Sequence, residues 1–116
     1  MTGASMNSRN QIVVFKLEGD LPVPQLLDLK AKISQAVERK QSVVLDLEKV
    51  RILNSNAVGL LVNSSQKLKA AGGRLYLLAP SPDVYEMMTL VGLEEQVHIY
   101  RDRKQFADEV TEKKEK

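Results

Sequence analysis

Two apolar periodicities alternate along this chain, and that alternation limits the fold more than any other feature. Gln11 to Glu18 is short and β-branched and halts at Gly19-Asp20, which predicts a strand. The prolines of Leu21-Pro22-Val23-Pro24 forbid a continuing ladder and suit the first turn of a helix. Leu26, Leu29, Ile33, Ala36 and Val37 then recur at helical spacing, with an end expected near Lys40. Ser42 to Leu47 is a second strand, apolar enough for the middle of a sheet. Ala57, Val58, Leu60, Leu61 and Leu68 mark a second helix that stops at Gly72-Gly73, where a positive φ is available. Arg74 to Leu78 is a third strand, and Val84, Met87, Met88 and Val91 give a third helix closed by Gly92. Val97 to Tyr100 reads as a last strand and Arg103 to about Val110 as a fourth helix. Such alternation calls for a sheet, mixed or parallel, with helices packed on it. The expected fold is α/β, a mixed β-sheet of about four to five strands with about four helices.

With 116 residues there is room for one domain, which such a chain can stabilise by burying about two thirds of its unfolded surface. Residues 11–110 are expected to form it, after a disordered or extended 1–10 and before a charged, fraying 111–116. Met1 or Met6 could be the natural start. Seventeen basic against fifteen acidic residues give +2, too balanced to point to nucleic acid. Two Phe, three Tyr and no Trp argue against a base-stacking platform. The absence of cysteine excludes disulfides, thiolate metal sites and Cys nucleophiles, and the single histidine, His98, excludes a His-based metal cluster. No run approaches the roughly 18 apolar residues of a membrane span, and the small, polar start is no signal peptide. The expectation is a cytoplasmic, non-enzymatic protein without metal or cofactor, as a monomer or weak dimer.

One segment stands out as a candidate site. In Leu53-Asn54-Ser55-Asn56-Ala57-Val58-Gly59-Leu60-Leu61, polar residues interrupt an apolar strand-to-helix junction. The ordinary reading makes Ser55 or Asn56 the helix N-cap. The sharper one uses the same helix start to hold a phosphate. A phosphoserine at Ser55 would add about −1.5 to −2 charge among the uncharged Asn54, Asn56, Ala57 and Val58, and so repel an apolar partner surface. Elsewhere the bland readings hold. His98 is a partly exposed strand residue, and Met87 and Met88 are core and partner surface. Asp46, inside an apolar strand, needs a hydrogen bond to a loop or a place at the exposed strand end.

At the Asn54 junction the chain resembles the STAS domains, the family of bacterial anti-sigma-factor antagonists. Leu17-Glu18-Gly19-Asp20-Leu21 is similar to the family's first strand and Gly-acidic-Leu turn, and Val43 to Val50 to its second central strand and following loop. Asn54 onward, through Gly72-Gly73, Pro80-Ser81-Pro82 and Leu90-Val91-Gly92-Leu93, resembles the family's Asp-Ser-Ser/Thr-Gly helix start, Gly-Gly stop, Ser-Pro loop and Gly-Leu helix end. The resemblance covers about Ile12 to Phe106. It implies a regulatory module that binds an anti-sigma factor which is itself a serine kinase, with a phosphatase as a further partner. It also implies phosphorylation at Ser55 and a docking face made of Asp20, Leu21, Pro22, Asn54, Ser55, Asn56, Ala57, Val58, Gly59 and Leu60.

The departures fall inside the motif. Asn54 stands for the family Asp, Asn56 for Ser/Thr, Ala57 for Gly, and Pro22 for the acidic residue that commonly ends the first turn. Two carboxylates that assist the kinase reaction in the family are therefore missing. The same fold also serves as a constitutive subunit of lipid-transport ABC complexes and as a stress-signalling scaffold, and the altered motif suits those roles without phosphorylation.

Overall fold

The computed structural model describes residues 11–111, so the expectations for 1–10 and for the tail beyond Thr111 lie outside the described residues. Four strands and four helices alternate: β1 (Ile12–Gly19), α1 (Val23–Glu38), β2 (Ser42–Val50), α2 (Ser55–Ala70), β3 (Leu75–Leu78), α3 (Pro82–Leu90), β4 (His98–Tyr100) and α4 (Arg103–Phe106). A 3₁₀ turn, Leu93–Glu95, precedes β4, and α4 widens into a π turn over Ala107–Thr111. The strands lie in the order β1-β2-β3-β4. Every pairing among them is parallel, so of the two directions open to the sequence, mixed or parallel, the described sheet takes the parallel one. The reason is connectivity: each strand is followed by a helix that carries the chain back across the sheet, and no hairpin joins neighbours.

Alternation along the strands sorts side chains to two faces. Val43, Leu45, Leu47, Leu75 and Leu77 join Leu26, Leu29, Ile33, Leu61 and Leu68 of the helices in one core. Val44, Asp46, Tyr76, Leu78 and Tyr100 take the alternate positions, which period-two geometry turns to the opposite face. There Phe106 of α4 packs edge-on against Tyr76 and Tyr100, centroids 5.6 and 5.4 Å apart. The pairing of β1 with β2 slips between Lys16 and Glu18, whose partners are Asp46 and Lys49. This bulge resets the alternation, so that Val50 is buried although it is an odd number of residues from Leu47.

Asp46 is buried on the second face and fully paired. Its Oδ1 accepts from the Glu48 N–H beside the bulge at 3.1 Å, and Arg103 of α4 donates to both carboxylate oxygens at 3.0 and 2.9 Å. The same guanidinium reaches Glu48 at 2.7 Å. Burial pushes the Asp46 carboxyl up, but the Glu48 N–H, the Arg103 guanidinium and the charge of Lys16 outweigh it and hold it below its ordinary range.

The end of α2 shows why Gly72-Gly73 stops a helix. Gly72 takes φ +95°, and the N–H of Gly73 closes back on the Leu68 carbonyl at 2.8 Å. A Cβ on Gly73 would lie 2.5 Å from the Gln41 carbonyl oxygen, so the second glycine serves a close backbone approach.

Candidate functional site

The start of α2 is assembled around Asn54. Its Oδ1 accepts from the Ala57 N–H at 2.8 Å, which makes it the N-cap of the helix. Its Nδ2 donates to the carbonyls of Asp20 and Leu21, each at 3.2 Å. One amide thus closes the helix end and ties down the β1–α1 turn, 33 and 34 residues away in sequence. The amide is suited to this because it carries both an acceptor and two donors, whereas an ionised carboxylate only accepts.

That tie holds a strained segment. Gly19 has φ +73°, and the next residue but one, Leu21, has φ +56°. A left-handed conformation is costly for a branched residue with a full side chain, on the order of 1–3 kcal/mol. Leu21 holds it because its side chain is 1% exposed in the core while its carbonyl is bound by Asn54. The Arg51 N–H also donates to the Gly19 carbonyl at 2.8 Å, so the turn is fastened on both sides.

The cap assignment corrects the sequence reading. Neither Ser55 nor Asn56 is the N-cap: both lie inside the first turn of α2, because Asn54 takes the extended cap conformation. Ser55 is therefore the first helical residue, exposed, with its hydroxyl outside the capping bond. The N–H groups of Ser55 and Asn56 sit at the open end of the helix, where the partial positive charge of the dipole is greatest.

The residues expected at the docking face divide by burial. Asp20, Pro22, Ser55, Asn56 and Gly59 are exposed, and Asn54, Val58 and Leu60 are half-buried. Leu21 and Ala57, both 1% exposed, offer no surface to a partner and support the site from beneath. Ile52, just before the site, and Leu90 of α3 are apolar and exposed, at 49% and 77%. Sequence reasoning missed both as surface; hydrophobicity alone gave no signal that they face outward. Met88 is buried, while Met87 is on the surface.

His98 is an exposed residue on β4 whose ring lies 5.6 Å from that of Tyr76. Desolvation beside Tyr76, with Arg74 and Lys69 nearby, pushes its pKa down. Among the described residues, no group of three or more His, Asp or Glu is placed to hold a metal. Likewise no described helix is long and apolar enough to cross a membrane.

The STAS domain model matches residues 4–106, and the chain belongs to that family, the family of the anti-sigma factor antagonists. An anti-sigma F factor antagonist of Lysinibacillus sphaericus is 32% identical over 85 residues, which cover 72% of this chain and 73% of that protein. Among solved structures, the anti-sigma factor antagonist SpoIIAA in its unphosphorylated form is similar with a TM-score of 0.70 and 27% identity, over 85% of this chain and 88% of its own. The Bacillus protein SpoIIAA in its phosphorylated form gives a TM-score of 0.67 at 27% identity, over 87% and 92%. The STAS anti-sigma factor antagonists are non-enzymatic regulatory proteins, and this chain is a non-enzymatic member of the STAS family.

Proposed function

We propose that this protein is an anti-sigma factor antagonist that binds an anti-sigma factor through the surface around the start of α2, and that phosphorylation of Ser55 switches the contact off. The observation that carries this reading is the division of labour at the helix start: Asn54 caps, which leaves the Ser55 hydroxyl exposed. The relatives support the class of partner, since one is named for antagonism of an anti-sigma factor and SpoIIAA exists in both phosphorylation states.

The physical effect of the modification follows from its position. A phosphoryl group transferred to the Ser55 oxygen brings about two negative charges to a helix N-terminus, which accommodates them without unfolding. The half-buried Val58 and Leu60 and the exposed Pro22 are surfaces an apolar partner could cover. Beside a phosphate, that partner would have to strip water from a dianion. Binding therefore fails through desolvation rather than through loss of fold. The partner is expected to be a serine kinase acting on its own antagonist, with a phosphatase restoring the free hydroxyl, in the cytoplasm.

The test is affinity capture from lysate of the source bacterium with wild-type, Ser55→Ala and Ser55→Asp baits. A kinase-like anti-sigma factor should be retained by the first two and lost with Ser55→Asp. Equal capture by all three overturns the switch. A second reading is favoured by one observation, the engagement of Asn54 as a structural amide where a carboxylate would assist a kinase. In it the module is a constitutive subunit of an ABC transporter or a signalling scaffold. Capture of the same permease, ATPase or scaffold protein by all three baits would establish that role.

A further inference from the structure

Helices α1 and α2 both return from parallel strands, so they run side by side in the same direction on the core face of the sheet. Their facing sides leave a groove of about 430 Å³. Its apolar surface comes from Leu27 and Val37 of α1 and Leu60 of α2, over the buried Leu26 and Ile33, with serine and asparagine side chains also lining it, and Leu27 is 62% exposed. Each helix adds one cation, Lys30 and Lys67, and no acidic side chain lines the groove. The ion pairs among the described residues belong to Lys32 and Arg103, not to these two lysines.

The size of the groove argues for a small occupant. Its volume falls in the range of roughly 300–1,000 Å³ typical of small-molecule sites. An apolar body covering Leu27, Val37 and Leu60 would remove their surface from water. An acidic head would meet uncompensated ammonium groups. Either half of such a ligand alone would leave half of the groove unmatched.

We propose that the groove between α1 and α2 binds a free single-chain amphiphile with an anionic head, a fatty-acid carboxylate. The chain lies along the Leu27, Val37 and Leu60 wall and the carboxylate is held by Lys30 and Lys67. Asn56 belongs both to the groove and to the start of α2, which makes the bound molecule a neighbour of the Ser55 surface. The proposal stands on the groove alone and is independent of the phosphorylation reading.

The experiment titrates dodecanoate, below its micelle concentration, into the ¹⁵N-labelled full-length chain and follows amide shifts. Saturable shifts clustered at Leu27, Lys30, Leu60 and Lys67 are expected. Dodecyltrimethylammonium should bind about tenfold more weakly, as should dodecanoate to the Lys30→Gln/Lys67→Gln double variant. Both lysines are exposed, so that variant keeps the fold, which an unchanged circular dichroism spectrum verifies. No saturable shift in the groove overturns the proposal. So does equal affinity for the cationic amphiphile, or binding seen only with dodecanoate-containing phosphatidylglycerol vesicles, which would mark a membrane surface instead.

Discussion

Two helices of this protein begin at a serine-containing junction, and they use the serine differently. At α3 the Ser81 side chain is the cap, its Oγ accepting from the Val84 N–H at 3.2 Å. At α2 the cap is Asn54, and Ser55 is displaced by one position into the first turn. A hydroxyl spent on capping is restrained and partly buried, whereas a hydroxyl one residue later is free for chemistry at no cost to the helix. The difference teaches that a helix start becomes a modifiable site when a second residue takes over the structural duty. At α2 that residue does more than cap, because its amide also holds the strained β1–α1 turn.

The sharpest way to break the comparison is to remove Asn54. Asn54→Ala deletes the cap bond and both bonds to the Asp20 and Leu21 carbonyls, and it releases the strain stored at Leu21. Loss of a cap costs about 1 kcal/mol, and the part-buried Leu21 carbonyl left unpaired adds a similar amount, whereas the exposed Asp20 carbonyl turns to water. Urea unfolding should show a loss of about 2 kcal/mol. A loss below about 0.5 kcal/mol would mean that water replaces the amide fully, and that Asn54 is not the organiser of the site. Asn54→Asp is the informative companion: the carboxylate can still cap but cannot donate to the two carbonyls, so its loss should fall between wild type and Asn54→Ala.

The serines themselves come next. Ser81→Ala should cost about 1 kcal/mol as a cap deletion. Ser55→Ala should change stability by less than about 0.5 kcal/mol, as surface substitutions away from structural features do. Ser55→Asp should stabilise by about 0.3–1 kcal/mol, since it places a negative charge in the first turn of a helix. Equal losses for the two alanine variants, read from the same urea titrations, would erase the distinction on which the switch depends.

Much of this architecture was legible in the sequence, and the reason is periodicity. The β-branched runs at Ile12–Val14 and Val43–Leu45 and the helical spacing from Leu26 to Val37 are local signals, and the elements fall where they predict, with shifts of a few residues at the ends. Ser42–Leu47 was too short by three residues because the bulge breaks the alternation that marks a strand. What could not be read depends on distance in sequence. Residue types alone allow Ser55 or Asn56 to cap as well as Asn54. The choice is made by two carbonyls of the β1–α1 turn, which only the folded chain brings within reach. The left-handed Leu21 is illegible for the opposite reason, since leucine is a residue that local preference keeps out of that region. Arg103 likewise carries no local sign that it will pair with Asp46, 57 residues earlier. A groove between two helices is a property of their packing, not of either amphipathic pattern.

The smallest effect concerns pH, and it separates the two helix starts from the back of the sheet. Neither serine hydroxyl nor the Asn54 amide titrates in the accessible range, so the difference between Ser81→Ala and Ser55→Ala should be the same at pH 4 and pH 7. Any acid weakening common to both must come from elsewhere, and Asp46 is placed to supply it. Its pKa is lower in the folded protein than the ordinary 3.8, so the unfolded chain takes up the proton first. The stabilisation is therefore fully present above the unfolded pKa and is lost as pH falls through the lower, folded one. The Arg103 side chain is 47% exposed, and solvent screening holds its share below about 1 kcal/mol. Arg103→Gln should accordingly lower stability slightly at pH 7 and flatten the acid limb of the stability curve, while leaving the serine comparison unchanged. An acid limb as steep in Arg103→Gln as in the wild type would assign the acid sensitivity to groups other than the Arg103–Asp46 pair.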